Sequence, residues 1–424
     1  MTLHPSRYVY WVRNDLRRTD NFTWEALLAH RANHAPDAPL LALVTGPPGW
    51  DAQTPFGWSR LSDRRKNLWL QAAQGFEAEW LLQPGATLEF HWGANPADLL
   101  PLHAVSGDAV FASRGFTTEE IREERAVAQT ARTHGFELNL FENHDVWEPA
   151  LWNFSLQSLP LTFSGYRRKV EALPPPPLGN PTLPPYPHST AQPHSDAHPL
   201  GGFPFSGDAQ SALAHLRRFV WETDGLRCYK ETRNGLLGVD YSGKISPWLA
   251  TGALSVRTVW KEVNRYESER GANAGSAWFK MELLWRSYFL WAGRVDGARL
   301  FGPQCAWNNS IQSRVALWTN GETPNAFVNA GMIELRETGY MSNRIRQNAA
   351  SYFIHQLGLP WPIGASYFEH HLLDYEAAVN WGNWNHLAGG PRNPGRRPPF
   401  DPTQQAAYYD PQGAYQQAWG NLFN

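Results

Sequence analysis

Cysteine is nearly absent: Cys228 and Cys305 are the only two in 424 residues. That excludes a disulfide framework and a cysteine-rich zinc site, and a reducing, cytoplasmic location is the natural expectation. No apolar run approaches membrane-spanning length, and the opening residues MTLHPSRYVYWVRN lack the apolar stretch of a secretory leader. Neither charge sign dominates, with 37 Lys and Arg against 39 Asp and Glu for a formal net charge of −2. No global positive field therefore draws the chain to nucleic acid, and any DNA contact must come from a local, salt-sensitive patch. A GxGxxG after the first strand and a Walker A loop are also missing, so a dinucleotide or P-loop site has no support.

Tryptophan is what abounds, with 21 residues. A large aromatic core accounts for that, and so does a redox chain of indoles; composition leaves both open.

Apolar runs at Tyr8–Val12, Leu40–Val44, Thr87–Trp92, Ala109–Ala112 and Glu137–Phe141 read as strands. Amphipathic stretches near 59–82, 95–103 and 117–134 lie between them, and Thr19-Asp20-Asn21 caps a further helix carrying Trp24, Leu27 and Leu28. Such alternation predicts an α/β domain, a parallel sheet with flanking helices, over residues 1–150. Residues 151–206 hold a Pro-dense stretch, LPPPPLGNPTLPPYPHSTAQPHSDAHPLGG, expected to wrap the surface as an interdomain connector. Its histidines lack metal-ligand spacing, so no metal site is expected there. From 207 to 424 helical signals dominate (208–223, 246–251, 255–270, 275–293, 324–337, 341–357, 364–377), predicting an all-α second domain.

The richest stretch is Gly339–Gly390, where Asn343, Arg344, Arg346, Gln347, Asn348, Asp374, Asn380 and Asn383 sit among Met, Phe, Leu and Trp. Lone polar groups in apolar company are costly, so so many together point to a lined cavity. Tyr241-Ser242-Gly243-Lys244-Ile245-Ser246-Pro247 runs into the apolar WLATGAL. Pro247 suits a first helical turn with Ser246 as cap, and hydroxyls, a Gly and a Lys before a helix offer either an anion site or plain capping. Glu282 and Trp285, three apart, share a helix face. Arg344 and the basic loop carrying Arg392, Arg396 and Arg397 suit DNA phosphates, or equally a solvated charge run.

The segments MSNRIRQN (341–348) and NWGNW (380–384) resemble the flavin-binding core of the photolyase/cryptochrome family, in the form of its DASH branch. The likeness extends, in order, to YWVRNDLRRTDN (10–21), FSGYRRKVE (163–171), YKETRNGLLGVDYSGKISPWLATGALS (229–255), ELLWRSYF (282–289) and FDPTQQAAYYDPQGAYQQAW (400–419).

The resemblance implies FAD as cofactor, held by Tyr229, Arg233, Ser242, Gly243, Lys244, Ile245, Ser246, Arg346, Asp374, Glu376 and Asn380. Arg346 and Asp374 match an ion pair along the flavin ring, and Asn380 matches the residue facing its N5. It implies photoreduction through Trp384, Trp361 and Trp307, the last aligned only with a one-residue shift. It implies a lesion pocket of Glu282, Trp285, Asn343, Gln347 and His386, with Arg344, Arg396 and Arg397 on DNA. The activity expected is light-driven repair of cyclobutane pyrimidine dimers, preferentially in single-stranded DNA, by a monomer without metal or membrane partner. A blue-light receptor signalling through flavin redox state is the rival reading, and a flavin-free nucleic-acid-binding protein a third. Glu124 matches a folate-contacting carboxylate, which leaves the antenna open among methenyltetrahydrofolate, a flavin or none.

Four positions depart from the family pattern: Ser287 for an acidic residue, Asn329 for Asp, Ile333 for Arg, and His386 for Trp or Tyr. Losing both members of a charged pair at 329 and 333 leaves neither partner alone.

Overall fold

A computed structural model describes residues 5–47, 49–176, 198, 200–393 and 398–420. Five parallel strands, β1 (Tyr8–Val12), β2 (Leu40–Val44), β3 (Ala86–Phe90), β4 (Ala109–Ser113) and β5 (Glu137–Phe141), form one sheet in the order β3-β2-β1-β4-β5. β1, β2 and β4 are buried along their whole length, as expected of inner parallel strands covered on both faces. Helices α1 (Phe22–His34) and α2 (Asp63–Trp80) cover one face, α3 (Pro96–His103) and α4 (Thr118–His134) the other. Local sequence sets their ends: Asn21 and Ser62 accept from the first-turn N–H groups of Trp24 and Arg65, and Thr117 with Glu120 closes a capping box.

The connector expected over 151–206 is only partly one. Helix α5 (Phe163–Glu171) buries Phe163, Tyr166 and Val170, because an amphipathic stretch precedes the prolines. Residues 177–197 of the Pro-dense run lie outside the described residues.

The rest of the chain is helical: α6 (Ala209–Arg217), α7 (Gly225–Thr232), α8 (Ser246–Thr251), α9 (Val256–Arg270), α10 (Ala274–Asp296) and α11 (Asn309–Asn320). α12 (Ala326–Thr338), α13 (Asn343–Ser351), α14 (Trp361–His371), α15 (Ala377–Leu387), α16 (Pro402–Tyr409) and α17 (Ala414–Gly420) complete it. The helix expected over 364–377 ends at His371, since the chain must turn at 372–376 to bring Asp374 to Arg346. α7, α11, α16 and α17 lie outside the helical stretches expected from the sequence, as does α15 beyond its first residue.

One core runs continuously from the α1/α2 face of the sheet into the helical region. Charged residues seal the junction. Asp20 and Arg257, both buried, pair at 3.0 Å, and Ser255 donates to Asp20. Arg17 reaches Gly252 O at 2.9 Å and Asn143 O at 3.0 Å. Gly252 has φ +74°, and a Cβ there would stand 1.9 Å from Asn14 O, so only glycine permits this approach.

Candidate functional site

The turn before α8 is built for close backbone approach. Lys244 has φ 42°, a conformation that non-glycine residues hold only when their surroundings enforce it. Its ammonium is the enforcing group: it is buried, donates to Gly202 O at 2.7 Å, and lies over the rings of Tyr241 and Tyr340. Burial pulls its pKa down to about 8. What Lys244 offers a ligand is therefore backbone, its charge being already engaged. Ser246 is the first residue of α8 rather than its cap, which is Ile245; its hydroxyl donates instead to Asp374 Oδ2 at 2.6 Å.

Asp374 is the hub of this group. Its second oxygen accepts from Arg346 Nη1 at 2.9 Å, while Arg346 Nε donates to Met341 O. Tyr340 stands beside this group, and burial pushes the pKa of its phenol up to about 12. Asn380, buried on α15, donates its amide to Ala365 O at 3.0 Å, which fixes its orientation. Gly243 packs against Phe279, Ile245 is in the core, and Tyr229 meets Phe279 edge-on at 4.9 Å. Glu376 does not join the group. Two residues beyond Asp374, it pairs with Arg286 at 2.7 Å on the sheet side.

A second cluster adjoins it. Arg233 Nη1 and Trp278 Nε1 converge on Glu282 Oε1 at 2.9 and 3.0 Å. Burial raises the Glu282 carboxyl and Arg233 pulls it back. Arg233 stacks on Trp278, and its buried Nε has no hydrogen-bond partner. One turn on, Trp285 lies flat on Phe163, with ring centroids 3.7 Å apart at 11°. His386 meets the Trp285 edge at 5.7 Å. Asn343 is exposed and Gln347 half-buried, four apart on α13. Trp278 sits four residues before Glu282 on the same helix face, a spacing that could have named it; Phe163 comes from a distant helix and gave no such signal.

The arginines divide. Among the described residues Arg344 is held by amides, Asn234 at 3.1 Å and Gln405 at 3.3 Å, and lies over Tyr409, with no carboxylate in contact. Arg392, by contrast, is buried against both oxygens of Asp296 and is withdrawn from DNA. Arg396 and Arg397 lie outside the described residues. Ser287, where the family pattern has an acid, donates to Asp145, a carboxylate supplied by the segment after β5. Asn329 bonds Thr323 at 2.6 Å and Ile333 is buried, so the two departures repack without a stranded charge.

Of the three expected redox tryptophans, Trp384 is buried against Gly364, where a Cβ would stand 2.4 Å from its ring. Trp361 meets Trp381 at 5.9 Å and Gly302. Trp307 touches neither; its ring contacts are Phe56 and Trp58. A contiguous run of rings nevertheless leads inward from it, through Trp58, Tyr367 at 5.3 Å, Trp318 at 5.6 Å and Trp384 at 6.3 Å.

A separate cavity of about 410 Å³ lies beyond the carboxyl ends of β1, β2 and β4, where the strand order reverses. That is the usual ligand position in an open parallel sheet. Trp11, Trp50, Trp69, Arg13, Arg60 and Glu123 line it, with Tyr375 and Glu376 closing the far side. Glu124 is not among its walls. It is buried and bound by Arg13 at 2.7 Å and by the Gly115 N–H.

Residues 8–185 match DNA photolyase and 279–421 match the FAD binding domain of DNA photolyase. A cryptochrome DASH of Synechocystis is 35% identical over 98% of this chain and 87% of its own length. One from Natronomonas pharaonis is 36% identical over 97% and 89%. The crystal structure of a Synechocystis cryptochrome superposes with a TM-score of 0.84 at 31% identity, covering 99% of this chain and 89% of that one. The orphaned Arg233 Nε–H, the strained turn at Lys244 and the Arg346–Asp374 pair offer donors and acceptors that fit an anionic, polar-edged flavin nucleotide. The chain belongs to the photolyase/cryptochrome family, in its DASH branch, and carries that family's FAD-binding domain.

Proposed function

We propose that this protein is a light-driven repair enzyme for cyclobutane pyrimidine dimers, acting on single-stranded DNA. The observation that carries the reading is Glu282: a carboxyl raised by burial, held by Arg233 and Trp278, one turn from Trp285.

FAD, when bound, would supply light absorption and single-electron transfer. The chain's own residues do the rest. The Ser242–Ser246 turn and Arg233 would hold the nucleotide's phosphates and sugar, and the Arg346–Asp374 pair would set polarity along the ring. Asn380, with its orientation fixed at Ala365 O, would face the ring edge with its remaining amide hydrogen or its carbonyl. Glu282, when protonated, would donate to a pyrimidine carbonyl and stabilise charge arriving there. Asn343, Gln347 and His386 would line the same pocket. Trp384 would re-reduce the site through Trp361 or through Trp318, Tyr367 and Trp58.

Single strands are favoured because extruding a dimer from a duplex costs a few kcal/mol. Arg344 is the one phosphate candidate of those named that is described and not neutralised by a carboxylate, and the net charge of −2 adds no attraction. The cavity at the sheet ends, within the usual ~300–1,000 Å³ of ligand sites, would take an antenna chromophore.

The receptor reading has one observation in its favour: Phe163 covers a face of Trp285 on which a base would stack. Anaerobic illumination of the photoreduced protein with one thymine dimer in single-stranded and in duplex DNA decides between them. Repair that is faster in the single strand supports the proposal; photoreduction without dimer loss in either substrate favours the receptor.

A further inference from the structure

On the far side of the α/β domain from the flavin region, Glu89, His91 and His103 bring three ligand atoms within 4.8 Å of one another. We infer that they form a divalent-metal site, suited to Zn²⁺, that ties edge strand β3 to the end of α3.

The placement follows from the fold. Glu89 and His91 are two apart on extended chain, so both side chains point to the same face of the sheet. The register pairs Glu89 with Leu43, whose side chain belongs to the core under α3 and α4. At that rim, where a covered strand would carry an apolar pair, stand a carboxylate and an imidazole. The last residue of α3, His103, completes the set. The ladder continues past β3, with His91 N–H on Val44 O at 2.8 Å, and Arg7 anchors His103 O at 3.0 Å, so both backbones are fixed.

Distances fit the ion. A tetrahedral zinc with bonds of about 2.0–2.1 Å holds its ligand atoms roughly 3.3–3.5 Å apart. His91 Nε2 stands 3.0 Å from Glu89 Oε2 and His103 Nδ1 3.6 Å from its other oxygen, Oε1, so the imidazoles flank one carboxylate, and a small rotation of it brings a single oxygen toward that separation from both. The His91 and His103 rings are inclined at 57° with centroids 5.6 Å apart, facing the same carboxylate. Two neutral imidazoles and one carboxylate make a borderline-soft donor set that favours zinc over magnesium or calcium. All three side chains retain some exposure, 33% for His91, 16% for His103 and 44% for Glu89, so water fills the fourth position and the ion enters from solvent.

The test titrates Zn²⁺ into the chelator-treated, FAD-loaded full chain by calorimetry, beside His91→Gln, His103→Gln and the double variant. The expected result is one site per chain that weakens at least about tenfold in each single variant and vanishes in the double. Zinc should also raise the Tm of the wild type and leave that of the double variant unmoved. The X-ray absorption edge of bound zinc should show two imidazole nitrogens. Equal zinc affinity in the wild type and the double variant would overturn the inference and assign binding to histidines elsewhere, those of the Pro-dense stretch included. Absence of binding to the wild type would overturn it equally.

Discussion

Asp374 and Glu376, two residues apart in the turn between α14 and α15, face opposite sites. Asp374 accepts from Arg346 and Ser246, whereas Glu376 pairs with Arg286 and borders the cavity at the sheet ends. Five residues of connector thus separate the Arg346–Ser246 group from the sheet-end cavity.

The partition separates two mutational effects. Asp374→Asn leaves Arg346 without its counter-charge beside the ring, and Ser246 with a weaker acceptor. Removing one partner of a buried pair costs about 3–5 kcal/mol, and Arg346, 20% exposed, should fall at the lower end. The expected phenotype is loss of FAD on gel filtration. Glu376→Gln should keep FAD and lower the denaturation midpoint, since Arg286 bridges to His144 O across the domain junction.

Asp20→Asn attacks that junction where it is driest. Arg257 is buried and takes both carboxylate oxygens of Asp20 at 3.2 and 3.0 Å. A loss of about 3–5 kcal/mol is expected, measured by urea unfolding. A change below about 0.5 kcal/mol, the scale of ordinary surface substitutions, would show that Asn143 and Asp145 carry the arginine unaided.

Two buried histidines should make the fold sensitive to acid. Burial lowers His215 to about 4 and His371 to about 3. Both therefore stay neutral in the folded chain while their unfolded counterparts take up protons near pH 6.5. Stability is full above that pH and declines as pH falls toward 4, by up to about 3 kcal/mol for His215. Glu334, raised to about 7 by burial, opposes this: its cost grows as pH rises from about 4.5 through 7. Urea midpoints from pH 4 to 8 should show a shallower acid slope in His215→Gln, and a gain in Glu334→Gln that grows from about pH 4.5 and levels off above about 7.

Two routes to Trp384 predict redundancy. Trp361→Phe should slow photoreduction without abolishing it, because Trp318, Tyr367 and Trp58 form a second run of rings to Trp307. Trp361→Phe with Trp318→Phe should abolish it, as followed by flavin bleaching under blue light with a thiol donor. Complete loss in Trp361→Phe alone would remove the second route.

β1 and β2 were legible because inner parallel strands are uninterrupted apolar runs, and both keep their expected bounds, as does edge strand β5. The 364–377 helix was misread because periodicity does not register a carboxylate that must leave the helix to meet Arg346. Within the site, local pairs such as Glu282 and Trp285 could be read from spacing. Contacts between distant segments could not: Phe163 on Trp285, Asp145 under Ser287 and Asp296 over Arg392 depend on the assembled fold. The last of these turned a DNA candidate into a structural ion pair.

The most direct test concerns Glu282. The wild type and Glu282→Ala, both FAD-loaded with matching flavin spectra and photoreduced, are illuminated with a thymine dimer in single-stranded DNA. The account predicts repair by the wild type and a rate at least ~100-fold lower in the variant, the scale of losing a positioned charge-stabilising donor. Equal repair rates, or no repair by either protein, would contradict it.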